Sequence, residues 1–582
     1  MSKTGSSANE SGLNANAGAS TFAGAASGFG CAASLFPLLQ DATSNVATNN
    51  KLINLVFIFF YFKVLSKNPY PYKDSFFLII FAYISIAEQM GVLKKLAGET
   101  AIYGLSTILA RMINFFFVPI YTRILTTGEY GSYSEIMSYI AVLQVVLVLG
   151  LETGCFRFAN KVEDPSKPFG TAFTTVLGVC ILFFMAMWLF ADSIASLMGY
   201  DGYGKMIVYT GGILALDSIT AILFARLRFL QKAFKFAVFK TIKILSELGF
   251  NLLLFFVVPA YLAANPTSAL LNFIPATPDF SYIIFAVFLS CAVCTLLFLP
   301  DIMRMKITFN RPLFRQMMVY SIPLMIAGLP GILNESLDRV LFRFLAPSGA
   351  VWRADLGEYQ AAVKLAVIMN LFIQMFRYAA EPFFFARGKN KELLAKVMEY
   401  FTAFCVLIFL GVTLYMDIIG LILGKDFRGA LGTVPFMLLS YMVLGMLFNV
   451  SMWYKLSGAT KYAINITLAG LAVTLVVNVA FMPLFSYWAS VAAHLLSCVV
   501  MLLYSVWLGN RHYYIPYRWG RICRYIVCGI ALFTLSVVLQ QMFGLGQMSL
   551  LKLGVNTVLV LGYMAFVHKM IKNDIHYESK DC

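Results

Sequence analysis

A chain of 582 residues in which 60% are hydrophobic and 12% are charged is excluded from the soluble globular class, where charged side chains make up about a quarter of the total. A mean hydropathy of +0.79 instead marks a polytopic membrane protein. The net charge of +16 would suit nucleic acid if it formed one patch, but the basic residues fall in alternate connections between apolar runs, as membrane topology requires, so no nucleic-acid partner is expected.

Residues 1–50 are rich in Ser, Ala, Asn, Gly and Thr and lack a periodic apolar face, which reads as a disordered tail. Two apolar pieces follow, Leu52–Phe62 and Phe76–Ala87, separated by Asn68-Pro69-Tyr70-Pro71-Tyr72 and each short for a span. Met90 opens Met-Gly-Val-Leu-Lys-Lys-Leu just ahead of the first strong span. Residues 1–89 are therefore read as an N-terminal extension, or as the product of an over-extended start.

From there about fourteen spans satisfy the twenty-residue criterion for a membrane helix. The first six are Ala97–Tyr121, Tyr130–Gly154, Thr171–Ala191, Lys205–Ala225, Phe236–Val258 and Phe280–Leu299. Six more are Met317–Asn334, Glu358–Ala380, Phe401–Gly420, Thr433–Tyr454, Ala463–Met482 and Ala489–Leu508. Ile522–Gln541 and Leu550–Met570 close the chain. No alternating strand pattern of an outer-membrane barrel is present, so the expected fold is an all-α integral membrane protein. Lys and Arg concentrate in the even-numbered connections and the flanks, for example Arg226, Arg228, Lys232 and Lys235, or Arg511, Arg518 and Arg521. This bias predicts that both ends of the helical core are cytoplasmic.

An internal repeat emerges between the first and seventh spans. Asn114 precedes Arg123 by nine positions and Asn334 precedes Arg343 by the same nine. A Gly-x-Tyr then recurs at the entrance of the second and eighth spans, in Gly128-Glu129-Tyr130-Gly131-Ser132-Tyr133 and in Gly357-Glu358-Tyr359. Two pseudo-symmetric six-helix lobes are expected, residues 90–305 and 306–516, with a C-terminal helix pair and cytoplasmic tail in 517–582.

Intramembrane charges are costly and usually face a cavity or a partner. Arg111 lies near the middle of the first span with Asn114 about one turn away, a pairing suited to an anionic cargo. In the second half, Glu335, Asp338, Arg339 and Arg343 share one stripe of the seventh span, and Lys364 and Arg377 lie near opposite ends of the eighth. Such a column of cations would serve a moving phosphate group, since the Arg fork matches phosphate geometry. Salt bridges of Asp338 with Arg339 or Arg343, and of Arg377 with Glu381, are the competing explanation, and both stay open. Asp217 and Glu247, with Asn251, are candidate proton or sodium sites, against pairing of Asp217 with Lys243 or Arg111. Asp338 is a third ion-coupling candidate. Pro323, Gly328, Pro330 and Gly331 predict a bend or break in the seventh span and a hinge at Gly328, Pro330 and Gly331.

The Cys291-x-x-Cys294 pair sits inside a span without a second pair or a nearby His, so no metal site is expected. No Gly-rich phosphate loop and no nucleophile with a base at readable spacing occurs. No cofactor and no enzymatic activity are expected.

Several motifs resemble those of a known family: Gly98-Glu99-Thr100, Tyr103-Gly104, Val118-Pro119-Ile120-Tyr121-Thr122-Arg123, Glu129-Tyr130-Gly131, Phe376-Arg377-Tyr378-Ala379-Ala380-Glu381-Pro382-Phe383-Phe384 and Trp453-Tyr454-Lys455. They look like the bacterial polysaccharide-biosynthesis flippases, the Wzx-type oligosaccharide-lipid flippases of the multidrug/oligosaccharidyl-lipid/polysaccharide exporter superfamily. The resemblance runs from about residue 90 to 517 and loosely through the last two helices. It implies two lobes alternating around a cationic cavity in the bacterial cytoplasmic (inner) membrane. The implied cargo is an undecaprenyl-pyrophosphate-linked oligosaccharide repeat unit used for O-antigen or capsule assembly. A polysaccharide polymerase and a chain-length regulator are implied partners beside the lipid bilayer. By position and charge, Arg111, Asn114, Arg123, Arg339, Arg343, Lys364 and Arg377 would meet the pyrophosphate, and helices thirteen and fourteen would form a groove for the prenyl tail. Two other readings remain: a cation-coupled multidrug exporter of the same superfamily, and a non-transporting glycan-assembly membrane protein.

Overall fold

Within hydrocarbon every backbone N–H and C=O must be satisfied inside the chain, and apolar runs of this length do so as helices. The computed structural model describes residues 115–305, 308–347, 351–387, 390–544 and 549–578. In chain order its main helices are α1 Phe115–Ile124, α2 Thr127–Ala159, α3 Ser166–Leu189, α4 Gly204–Phe229, α5 Ala233–Ala264, α6 Phe280–Met303 and α7 Arg311–Leu345. They continue as α8 Trp352–Arg387, α9 Lys391–Thr413, α10 Val434–Val450, α11 Lys461–Phe485, α12 Tyr487–His512, α13 Trp519–Met542 and α14 Leu550–Glu578. Counting α10 with its flanking turns as Lys425–Leu456, 13 helices among the described residues are long and apolar enough to cross a membrane. The extension 1–89 and most of the first expected span lie outside the described residues.

Helix starts follow local chemistry. Thr126 and Glu129 form a reciprocal capping box at α2: the Glu129 N–H donates to the Thr126 hydroxyl and Glu129 Oε2 accepts from the Thr126 N–H at 2.7 Å. Asp279 caps α6 and Asn310 caps α7 through side-chain oxygens that accept from Ser281 and Leu313 N–H groups. Pro259, which cannot donate, follows a π turn at Leu253–Val257 that absorbs the shift in hydrogen bonding inside α5.

The helices pack as two bundles. In the first, α3 and α6 flank α4, α5 runs beside α6, and α2 lies across α4. In the second, α12 sits between α10 and α11, α7 lies on α11, and α8 and α9 lie on α10. α2 joins the bundles, running along α8 and α7. The C-terminal pair docks on α9: Asn556 is fully buried, accepts from the Ser536 hydroxyl at 2.7 Å and donates to the Leu414 carbonyl at 2.5 Å. Large apolar side chains such as Leu182 and Val527 remain outward, as a lipid-facing surface demands.

The seventh span departs from expectation. α7 is continuous helix from Arg311 to Leu345 through both Pro323 and Pro330, so of the expected bend or break around Gly328, Pro330 and Gly331 a break does not occur. Each proline removes one donor, but α7 is held between α2 and α11, and packing of this kind carries membrane helices past proline. The interruption lies in α2 instead, where Leu149 and Gly150 adopt φ of 55° and 67°. α7 also extends past Asn334, where the apolar run stops, so Glu335 through Arg343 are helical.

Candidate functional site

Where α2 and α8 begin, their backbones cross in near contact. A Cβ on Gly131 would lie 1.8 Å from the Arg353 carbonyl oxygen, and one on Gly357 would lie 1.9 Å from the Thr127 carbonyl oxygen. The two glycines of the repeated Gly-x-Tyr thus occupy reciprocal positions, and only glycine admits so close an approach.

The repeated arginines are reciprocal as well. Arg123, in the last turn of α1, donates to the Leu421 and Ile422 carbonyls at 2.8 and 3.0 Å, in the connection between α9 and α10. Arg343, near the end of α7, donates to the Leu197 carbonyl at 2.7 Å and to the Met198 carbonyl, in the connection between α3 and α4. Each guanidinium therefore clamps the opposite bundle. The rest of this joint was not legible in the sequence: Glu135 of α2, at 0% exposure, accepts from Tyr200 at 2.5 Å and faces Arg343 at 3.7 Å. Arg353 reaches the Gly199 carbonyl at 2.9 Å and lies over the Tyr200 ring. The available signal was a carboxylate six residues into an apolar span, a charge with the same intramembrane cost as Asp217 and Glu247. Arg123 and Arg343, expected to meet substrate, are placed at this joint with carbonyl partners.

Inward of the joint lies a different pair. Arg339 of α7 is half-buried, and its charge reaches the hydroxyls of Tyr130 and Tyr133 on α2, Tyr359 on α8 and Tyr441 on α10. Lys364 of α8 lies within the field of the same guanidinium. Among the described residues, buried Arg339 Nε has no hydrogen-bond partner and neither cation forms an ion pair. Asp338 does not neutralise them: one carboxylate oxygen accepts from Tyr359 at 3.2 Å and the other has no partner among the described residues. Two like charges within one another's field repel, and an anion held by both would relieve that repulsion.

The other expected residues fall elsewhere. Arg377 sits 3.9 Å from Glu381, four residues on along α8, and Glu381 also binds Lys455 at 2.8 Å, so the three form an ion triad inside the second bundle. Asp217 pairs with Lys243 at 2.5 Å and accepts from the Cys291 thiol at 3.4 Å. Glu247 is 2% exposed, and one of its oxygens has no hydrogen bond among the described residues. Its neighbour Asn251 accepts from Tyr121 at 2.7 Å. Asn334 accepts from Thr474 and, at 2.9 Å, from Ser497. Arg111 and Asn114 lie outside the described residues.

At its other half α2 meets α7 again. Gly150 and Gly154 abut Ser321, and Arg157 lies 4.1 Å over the Tyr320 ring. The two bundles are thus bridged on both sides of the Arg339–Lys364 pair.

The sequence matches the family model described as polysaccharide biosynthesis protein over residues 96–387. No curated protein matches it. Among solved structures, the lipid II flippase MurJ in an inward closed conformation superposes with a TM-score of 0.63 at 11% identity, covering 80% of this chain and 98% of that one. An inward-facing multidrug resistance MATE family transporter of the MOP superfamily gives 0.48 at 15% identity, covering 74% and 98%. At these identities the likeness is one of fold, and it rests on the first of the two structures.

Proposed function

Because the chain belongs to the polysaccharide biosynthesis protein family and shares the fold of a lipid II flippase, we propose that it is a flippase for undecaprenyl-pyrophosphate-linked oligosaccharide repeat units. It carries them across the bacterial cytoplasmic membrane for O-antigen or capsule assembly. The observation that carries this reading is the Arg339–Lys364 pair, two cations on different helices within one another's field, neither with an ion-pair partner among the described residues. A pyrophosphate supplies the missing negative charge, and the Arg fork and Lys point charge suit its oxygens. The sugars cross between residues 90–305 and 306–516 acting as two lobes, while the prenyl tail stays in hydrocarbon beside α13 and α14. Arg111 and Asn114, one turn apart on the first span, extend the anionic path. A polymerase and a chain-length regulator receive the product.

The basic residues at one end of the bundles support a cytoplasmic orientation for that end. The Gly131–Gly357 crossing and the Arg123 and Arg343 clamps then close the outer end. Opening outward requires their release. Gly328, Pro330 and Gly331 give α7 local compliance for that change, since two prolines remove donors from an otherwise continuous helix.

Arg339→Ala and Lys364→Ala are each expected to abolish surface polysaccharide and to accumulate lipid-linked single repeats on the cytoplasmic face, at unchanged protein level. Normal surface polysaccharide in both variants rejects the assignment. One observation favours a second reading: Glu247, deeply buried with an unsatisfied oxygen, suits a coupling ion, as do Asp217 and Asp338. In the flippase this couples transport to a gradient; in a multidrug exporter the same acids would drive a cationic cargo, which Arg339 and Lys364 would repel. Unchanged drug susceptibility of a deletion strain separates the flippase from the exporter.

A further inference from the structure

The ends of α4 and α6 enclose a pocket that the transport reading does not use. α4 stops at Phe229, and Gln231, at φ 54°, turns the chain into α5, which begins at Ala233. α6 meanwhile continues past Pro300 to Met303. Between them lies a cavity of about 160 Å³ with Arg226, Lys232 and Arg304 at its rim and Leu223, Leu227 and Phe298 on its walls. That is several times the roughly 30 Å³ a water molecule occupies in the liquid.

The charge of this pocket is unusual among its neighbours. Arg228 is bound to Glu152, Lys243 to Asp217, and Lys240 lies 4.9 Å over the Phe224 ring. The one acid lining the pocket, Asp301, has both oxygens engaged by Lys235, at 2.7 and 2.6 Å. Arg226, Lys232 and Arg304 form no ion pair with any described residue. Three cations thus converge on a hollow whose only carboxylate is already neutralised. Its edge turns apolar and outward: Leu230, which lines it, is 45% exposed, and Met303, the residue before Arg304, is 80% exposed. Cations above an apolar flank, at the end of membrane helices, match the two halves of an anionic phospholipid, the phosphate and the first segment of an acyl chain.

We propose that the α4–α6 pocket is a binding site for the phosphate headgroup of an anionic phospholipid, with Arg226, Lys232 and Arg304 holding the phosphate and Leu230 and Met303 contacting the acyl chain. The site is separate from the Arg339–Lys364 pair and does not depend on what the protein transports.

The test uses the full chain in nanodiscs of phosphatidylcholine, with phosphatidylglycerol added in steps and retained lipid counted by native mass spectrometry. Arg226→Gln/Lys232→Gln/Arg304→Gln is compared with Lys161→Gln/Lys167→Gln/Lys461→Gln, which removes equal charge elsewhere, and both are checked for an unchanged melting temperature in phosphatidylcholine alone. Arg304→Gln, at an exposed helix end, serves if the triple variant does not fold. The pocket variant is expected to bind phosphatidylglycerol on the order of 100-fold more weakly, about a kilocalorie's worth per cation, and the control to match wild type. Equal losses in both triples, or no loss in the pocket variant, overturn the proposal. Displacement of phosphatidylglycerol by millimolar inorganic phosphate would assign the pocket to free phosphate and overturn the lipid assignment, whereas persistence of the bound lipid supports it.

Discussion

Adding one methyl group at the crossing of α2 and α8 should loosen one end of the molecule and leave the rest intact. In Gly131→Ala the new Cβ meets the Arg353 carbonyl oxygen at 1.8 Å, and in Gly357→Ala it meets the Thr127 carbonyl oxygen at 1.9 Å. Ordinary contact requires about 1.5 Å more separation in each case, and the obstacle is backbone, which cannot rotate away. Overpacking of this kind costs about 1–3 kcal/mol. If the joint opens as a unit, that cost is charged to the closed state alone, and every 1.4 kcal/mol raises the open population about tenfold. Amide hydrogen exchange in 127–135 and 352–360 should therefore quicken by roughly 5- to 150-fold in either variant. Gly178→Ala, whose Cβ would meet nothing within 4 Å, is the control. Unchanged exchange in both segments, or an equal rise across the whole chain, would refute the idea that these glycines close a movable joint.

Arg123→Ala and Arg343→Ala each delete charged hydrogen bonds to carbonyls of the opposite bundle; each should open the same joint by about 1.5–3 kcal/mol, and the double variant should sum the two in the exchange assay. Arg343→Met strands a fully buried Glu135 carboxylate and should lower stability by about 3–5 kcal/mol, with Arg343→Met/Glu135→Gln recovering part; no recovery in the melting temperature would mean the pair is not coupled. Lys243→Met should behave likewise toward Asp217, with rescue by Asp217→Asn. Asn556→Leu leaves the Leu414 carbonyl and the Ser536 hydroxyl unmatched at a cost of about 1–3 kcal/mol; exchange should rise in α13 and α14 before it rises in α9, and uniform protection would contradict their docking through this residue.

The sequence carried the helical architecture because twenty-residue apolar runs admit one solution in hydrocarbon. It also carried the reciprocity of the joint: the equal Asn-to-Arg spacing and the recurring Gly-x-Tyr mark Arg123, Arg343, Gly131 and Gly357, which the fold brings to equivalent places. It did not carry their job. A guanidinium that binds phosphate and one that binds the carbonyls of a distant loop look alike along the chain, and the partners of Arg343 lie 145 and 146 positions away. Glu135 escaped notice because Tyr, Ser and Gly around it make the start of α2 look like a polar entrance, although the residue ends up wholly buried. α7 misled in the opposite way. Local proline chemistry predicted a bend or a break, but with its neighbours packed along it the helix continues through both prolines, and charges past Asn334 ended the apolar run without ending the helix.

The most direct test is transport itself. The full chain would be reconstituted in vesicles carrying a labelled undecaprenyl-pyrophosphate oligosaccharide, with translocation read by the access of an impermeant glycosidase. The account predicts movement of the label with wild type and its loss with Arg339→Ala and Lys364→Ala, at equal incorporation. Translocation in both variants at the wild-type rate, or none by the wild type while a cationic drug is moved, would contradict it.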